Sequence, residues 1–166
     1  MPGEPYRRYP VQRHQHKEYL LDGKFVRTLA GTVAEIVAIE GPIHEDLLVE
    51  RLKEVHGIER AGSNMQANVK QAVAHAGYSD GIERGELNRQ FVLKTGVPAK
   101  TFRVPGQGVK RPLDLICLEQ VEFCILYLVE DQFGMMRDQI PQSVARLFGI
   151  ERLRGDVGRC YPNCGR

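Results

Sequence analysis

The sequence has no tryptophan, only four cysteines and no apolar run approaching the roughly 20 residues of a membrane span. Its first residues, MPGEPYRRYPVQRHQHKEY, also lack the apolar core of a signal peptide. These absences predict a cytoplasmic protein, in which disulfides are rare. The net charge of +2 is close to balanced, so charge alone does not indicate a nucleic-acid partner.

Catalytic and metal-binding motifs are missing as well. The chain has no G-x-x-x-x-G-K-[ST] loop for phosphates, and no nucleophile, base and orienting group cluster in the sequence. Cys160 and Cys164 form a C-x3-C pair without a second pair at zinc-ribbon spacing. Cys117 and Cys124 lie in an apolar stretch, which is typical of buried thiols. We therefore expect no enzyme activity, no metal site and no cofactor.

The sequence contains an internal repeat. Sliding the chain on itself by 92 residues superposes HGIER, at residues 56–60, on FGIER, at residues 148–152. Apolar positions coincide upstream of both segments, so the simplest interpretation is two copies of one helical unit. The second copy lacks a counterpart of the AGSNMQANVKQAV segment, which predicts that it is truncated.

Residues 28–94 carry the apolar periodicity of three helices and a hairpin, which is the order of a winged helix. The first helix starts near Leu29 and ends at Gly41-Pro42. The second opens with His44-Glu45-Asp46, which we expect to be a solvated helix start, and it closes at Gly57.

The third helix is predicted to run from Ser63 to Gly77 and to begin with a capping box of Ser63 and Gln66. Its outer side is short, polar and nearly uncharged, which suits an approach to base edges, although a merely soluble helix face has the same composition. The hairpin after it is the wing, where Glu83 and Glu86 would repel phosphates. The side chains that we predict to bind nucleic acid are Arg60, Ser63, Asn64, Lys70, Gln71, Arg84, Asn88, Arg89 and Lys94.

The fold class predicted is mainly α (α+β): a winged-helix-like three-helix unit with a β-hairpin wing, plus a second, truncated copy. The domains expected are an extended N-terminal arm (1–27), the winged-helix-like unit (28–94), a Pro/Gly/basic linker (95–112), a truncated second helical unit (113–153) and an irregular tail (154–166). Two apolar helices cannot bury their own faces, so the second unit should pack on the first or self-associate.

The segments EGPIHEDLLVERLKEVHGIERAGSNMQANV and LDLICLEQVEFCILYLVEDQFG, with VARLFGIER further on, carry a family resemblance. Over about residues 28–153 the chain resembles the C-terminal winged-helix-like domain of unknown function of large bacterial superfamily 1 helicase-related proteins. Those proteins commonly also have a very-short-patch-repair-like endonuclease segment. The positions that match the family motifs are Glu40, Gly41, Pro42, His44, Glu45, Gly57, Arg60, Gly62 and Ser63.

The resemblance implies DNA and a helicase or nuclease protein as partners. Helicase and nuclease parts are absent from the sequence, and the residues after Leu153 leave the family pattern. We therefore expect a gene fragment, a frameshifted terminus or a detached module. The expected function is a non-catalytic, weakly DNA-binding accessory module of a helicase- or nuclease-type system. The alternative is a protein-interaction or structural module.

Overall fold

The structure, a computed structural model, describes residues 3–11, 15–60, 62–96, 101–106, 109, 111–132 and 134–151. The helices are α1 (Glu18–Leu21), α2 (Val26–Glu40), α3 (Glu45–His56), α4 (Ser63–Ser79), α5 (Leu118–Asp131) and α6 (Ile140–Leu147). The strands are β1 (Glu4–Pro5), β2 (Ile43–His44), β3 (Ile82–Arg84), β4 (Phe91–Lys94) and β5 (Arg103–Val104). The predicted mainly α fold with a small sheet is confirmed. Within these ranges, no helix combines the length and the apolar character that a membrane span requires.

The chain divides into two compact units, one of residues 7–98 and one of residues 1–6 together with 99–166. The first strand belongs to the second unit, because β1 pairs in parallel with β5. The N–H of Glu4 donates to the carbonyl of Phe102 at 3.0 Å, and Phe102 is itself buried. The segment predicted to be an extended arm therefore contains a paired strand. The segment predicted to be a linker contains a buried phenyl ring. The predicted tail lies outside the described residues.

Arg111 shows the same departure from the linker prediction. It is buried, and its guanidinium lies 4.2 Å from the centre of the Tyr6 ring, which is buried too. Its Nη2 donates to the carbonyl of Arg103 at 3.0 Å. A cation in a linker is usually hydrated, but burial against an aromatic face and a carbonyl gives Arg111 a structural role.

Residues 7–98 have the element order of a winged helix. Helix α2 is followed by β2, α3, α4 and the β3–β4 hairpin. The three strands form one antiparallel sheet in the order β2-β4-β3. The predicted helices and wing are therefore present, and the two-residue strand β2 completes the sheet. Two residues are too few to show the alternation that identifies a strand in a sequence.

The core of this unit lies between α2, α3 and α4. Its fully buried members include Leu29, Val33 and Ile36 from α2, Leu48 and Leu52 from α3, and Met65, Val69 and Ala72 from α4. These are the apolar stripes that helical periodicity predicts. Full burial of each large aliphatic side chain contributes about 1.5–3 kcal/mol to stability.

The segment before α2 packs on this core, so the prediction of an extended arm over residues 1–27 is wrong for its second half. Leu20 in α1 is completely buried, and its carbonyl accepts a hydrogen bond of 3.0 Å from Nδ2 of Asn68. The N–H of Gln15 donates to the carbonyl of Val55 at 2.7 Å. Helix α1 has four residues, which is too short to show a helical period in the sequence.

The predicted ends of α3 and α4 are confirmed only in part. Gly57 closes α3 in the left-handed conformation, with φ at 61°, as expected. His44 caps α3 but is buried rather than solvated, because its ring packs edge-on against Phe91 at 5.1 Å. Helix α4 starts at Ser63 without a side-chain cap, so the capping box is wrong, and it continues past Gly77 to Ser79.

The second unit repeats the end of α3 at the end of α6. The N–H of Ile58 bonds a carbonyl five residues earlier at 2.9 Å, and Ile150 does the same at 2.8 Å. Each helix end has a glycine with positive φ, 61° at Gly57 and 70° at Gly149. This pairing is a Schellman motif in both copies. Helix α6 begins at Ile140 and has Pro141 in its first turn, where proline is tolerated.

The cysteines of the second unit behave as predicted. Cys117 and Cys124 are buried free thiols, and burial raises the pKa of each to about 12. They are therefore protonated and unreactive at neutral pH. Cys160 and Cys164 lie outside the described residues.

His56 makes the first unit sensitive to acid. The ring is fully buried, its Nδ1–H donates to the carbonyl of His16 at 2.9 Å, and its Nε2 has no hydrogen-bond partner in the described part of the chain. Burial lowers its pKa below the ordinary 6.5. The unfolded state therefore binds the proton first as pH falls below 6.5, and the free energy of unfolding should decrease from there down to the lower folded pKa.

Urea unfolding between about pH 7.5 and pH 5 measures this slope. The control is His56→Phe, since Phe148 occupies the equivalent position of the repeat and cannot be protonated. We expect a shallower pH dependence in the variant. An unchanged slope would show that His56 is not the responsible group.

Candidate nucleic-acid interface

The outer face of α4 is the surface that the sequence predicted for nucleic acid. One side of the helix is buried in the core, including Met65, Val69 and Ala72. The opposite side is exposed along the whole helix and includes Ser63, Asn64, Ala67, Lys70, Gln71 and Ala74. The structure therefore places four of the predicted site residues together on one solvent-facing helix.

The chemistry of this face suits polar contacts at short range. Lys70 is the one Lys, Arg, Asp or Glu residue in α4, and its neighbours carry amides, a hydroxyl or a methyl group. Seventeen residues of helix span about 25 Å, and short side chains let such a helix approach a groove closely. Carboxylates are absent from the helix, so it does not repel phosphates.

Asn68 is a polar residue of α4 that sequence analysis did not single out. It is buried, and its Nδ2 donates to the carbonyl of Leu20. This bond ties α1 to the inner side of α4 and fixes the orientation of the helix that carries the exposed face. A polar residue within the apolar stripe of α4, next to Val69, was the sequence signal that could have indicated this buried hydrogen bond.

Arg84 is held inside the unit. Its Nη1 lies 3.2 Å from a carboxylate oxygen of Glu45, at the start of α3, and donates to the carbonyl of Arg89 at 2.7 Å. The side chain is 30% exposed. Arg84 therefore braces the wing against α3, a role that the sequence did not indicate because Glu45 is 39 residues away.

Asn88 shapes the turn of the wing. Its Oδ1 accepts from the N–H of Gln90 at 2.9 Å, and its carbonyl accepts from the N–H of Phe91 at 3.1 Å. A Cβ on Gly85 would lie only 2.8 Å from that carbonyl oxygen, so glycine is required there. Asn88 is thus a turn residue, half-buried.

The remaining predicted contacts are exposed cations outside α4. Arg60 lies just before the helix, Arg89 lies in the wing turn, and Lys94 lies at the end of β4. Glu83 and Glu86 are exposed on the same wing and place negative charge beside them. Charge on the wing is therefore mixed.

The positions that match the family motifs are largely structural. Glu40 is completely buried, its Oε1 lies 2.6 Å from Nε of Arg51, and it accepts the N–H of Tyr9 at 2.8 Å. A Cβ on Gly41 would lie 2.4 Å from the carbonyl oxygen of Val37, so only glycine fits. These residues hold the first unit together rather than face a ligand.

No set of three or more His, Cys, Asp or Glu side chains among the described residues is arranged to hold a metal ion.

Comparison with models of protein families gives a match to part of the chain. A family model described as Protein of unknown function (DUF3320) matches residues 20–67. That range runs from the end of α1 to the first turn of α4 and includes the Glu40–Arg51 pair. No curated protein and no solved structure matches the chain significantly. Over residues 20–67 the chain is therefore similar to a domain family of unknown function.

Proposed function

We propose that the winged-helix unit is a non-catalytic DNA-binding module that serves a helicase- or nuclease-type system. The observation that carries the proposal is the exposed, carboxylate-free face of α4 in a winged-helix order of elements. Proteins with this arrangement place the corresponding helix in the major groove. The link to helicases and nucleases rests on the family resemblance.

Asn64 and Gln71 are the side chains of this face that suit base edges. Their amides donate and accept, which matches the pattern that adenine presents in the major groove. Lys70, Arg89 and Lys94 supply phosphate contacts from the helix and the wing. Arg84 is not part of this set, because Glu45 already holds its guanidinium.

Binding should be weak and sensitive to salt. The proposed phosphate contacts are only Lys70, Arg89 and Lys94, and the exposed carboxylates of Glu83 and Glu86 on the wing oppose them. Each phosphate contact contributes a slope of about −0.9 to the plot of log affinity against log salt for duplex DNA. The slope therefore counts the cations that engage DNA.

Fluorescence anisotropy of a labelled duplex at several salt concentrations tests the proposal. In the double variant Lys70→Ala with Arg89→Ala we expect binding to be lost at moderate salt, because two phosphate contacts disappear. Any residual binding should show a salt slope shallower by about two. The matched control is Arg137→Ala with Arg146→Ala, which removes the same charge from the second unit.

Equal affinities of the wild type and the Lys70/Arg89 variant would overturn the placement of DNA on α4 and the wing. Equal losses in both double variants would show that charge, rather than this surface, sets the affinity.

A second candidate function is a protein-interaction module, and one observation favours it. Among the described residues of the second unit, three large apolar side chains are exposed: Leu126 at 57%, Met136 at 71% and Val129 at 37%. Such a surface suits a protein partner or a second copy of the chain. In the samples used for the DNA titration, a mass above one chain without any DNA binding would favour this candidate.

A further inference from the structure

Tyr78 is almost completely exposed at the C-terminal end of α4, at 94% of its surface. The other tyrosines in the described ranges, Tyr6, Tyr9, Tyr19 and Tyr127, are buried or half-buried. A phenol ring has a large apolar body, and leaving it in water forgoes the stabilisation that burial provides. The exposed ring contributes little to the fold, which makes it a candidate for binding.

Tyr78 lies on the same strip of α4 as the proposed DNA contacts. It follows Gln71 by seven residues, which brings it back to nearly the same line on the helix surface after two turns. Ala74 lies between them and carries only a methyl group, so the ring is accessible from the direction of Gln71. The aromatic ring therefore continues the polar face that begins at Ser63.

The charges at this end of the helix disfavour a phosphate. Asp80 follows directly and accepts a hydrogen bond from the Ser79 hydroxyl. The C-terminal end of a helix also carries partial negative charge. Lys70, the cation of the helix, lies about 12 Å away along the axis. A neutral flat group fits beside Tyr78, while phosphates fit nearer to Lys70.

We propose that Tyr78 stacks on an unpaired nucleobase, so that the α4 face binds single-stranded DNA as well as duplex DNA. The proposal rests on the proposed DNA-binding function and specifies its substrate. In a duplex the faces of the bases are covered by their neighbours, and a tyrosine reaches only edges and phosphates. In a single strand the faces are open, and stacking on an aromatic ring tolerates any base.

The experiment compares labelled oligo-dT with the oligo-dT·oligo-dA duplex, using the full chain and three variants. Tyr78→Phe keeps the ring and should bind oligo-dT like the wild type. Tyr78→Leu and Tyr78→Ala lose the aromatic face, and we expect each to bind oligo-dT about tenfold more weakly. Their duplex affinity and melting temperature should stay unchanged, because the side chain makes almost no contacts. Leu21→Ala removes another exposed apolar side chain, in α1, and should leave both affinities unchanged.

Unchanged oligo-dT binding in Tyr78→Ala, or an equal loss on oligo-dT and duplex, would overturn the stacking role. If that variant binds normally while the Lys70/Arg89 variant does not, only this inference fails. If the wild type binds neither oligonucleotide, the DNA-binding function fails as well.

Discussion

Replacing Arg51 with Met should lower the free energy of unfolding of the first unit by about 3–5 kcal/mol. Arg51 is 8% exposed and its Nε lies 2.6 Å from the completely buried Glu40 carboxylate. Without the guanidinium, that carboxylate keeps its desolvation cost and loses its counter-charge. Whole domains are stable by only about 5–15 kcal/mol, so the variant should be partly unfolded at mild urea concentrations. Urea unfolding followed by circular dichroism measures the change.

The double variant Glu40→Gln with Arg51→Met separates the lost charge from lost packing. Gln keeps an oxygen that can accept the N–H of Tyr9, which Glu40 accepts at 2.8 Å. We expect the double variant to recover more than half of the lost stability, because no isolated charge remains buried. A double variant as unstable as Arg51→Met alone would mean that the cost arises from packing.

Phe148→Ala should destabilise the second unit by about 3–5 kcal/mol, the usual cost of removing a buried phenyl ring. The ring is 2% exposed and its centre lies 6.0 Å from that of Phe102. It therefore joins α6 to the segment before β5, and its loss leaves a cavity at the centre of a small core. Hydrogen exchange should show faster exchange in α5 and α6.

The control for this variant is Leu126→Ala, which shortens a side chain of α5 that is 57% exposed. It should change stability by less than about 0.5 kcal/mol. Because Phe148 lies in one of two compact units, amides of α2 and α4 should keep their protection. Equal loss of protection in both units would show that they unfold together.

Local periodicity was enough to predict the three long helices of the first unit, α2, α3 and α4. The buried stripe of α4, with Met65, Val69 and Ala72, repeats at helical spacing, and Gly57 marks the end of α3. The 92-residue repeat aligns Gly149 with Gly57, and the same helix end occurs at both glycines. Each of these signals lies within a few residues of the feature it predicts.

Features that depend on distant partners could not be predicted. Arg84 was predicted to be a phosphate contact because its actual partner, Glu45, is far away in the sequence. Arg111 looked like a linker cation, but it is buried on Tyr6. Composition assigns such residues to the surface, and only the fold shows which of them have a partner.

In the candidate site too, the residues whose position follows from local sequence were predicted correctly. The exposed side of α4 follows from the helical period, so Asn64, Lys70 and Gln71 were placed correctly on the surface. Tyr78 was missed because the helix was expected to end at Gly77, one residue earlier. Glycine weakens a helix interior without necessarily ending it.

The pairing of β1 with β5 has a consequence for how the protein is made. Glu4 pairs with Arg103, so the first strand leaves the ribosome long before its partner. At about 5–20 residues per second, translation of the intervening hundred or so residues takes about 5–20 s. The winged-helix unit has time to fold during that interval, while residues 3–6 wait with their backbone groups unpaired. The order of synthesis therefore favours folding of residues 7–98 first. The unit of residues 1–6 and 99–166 folds last.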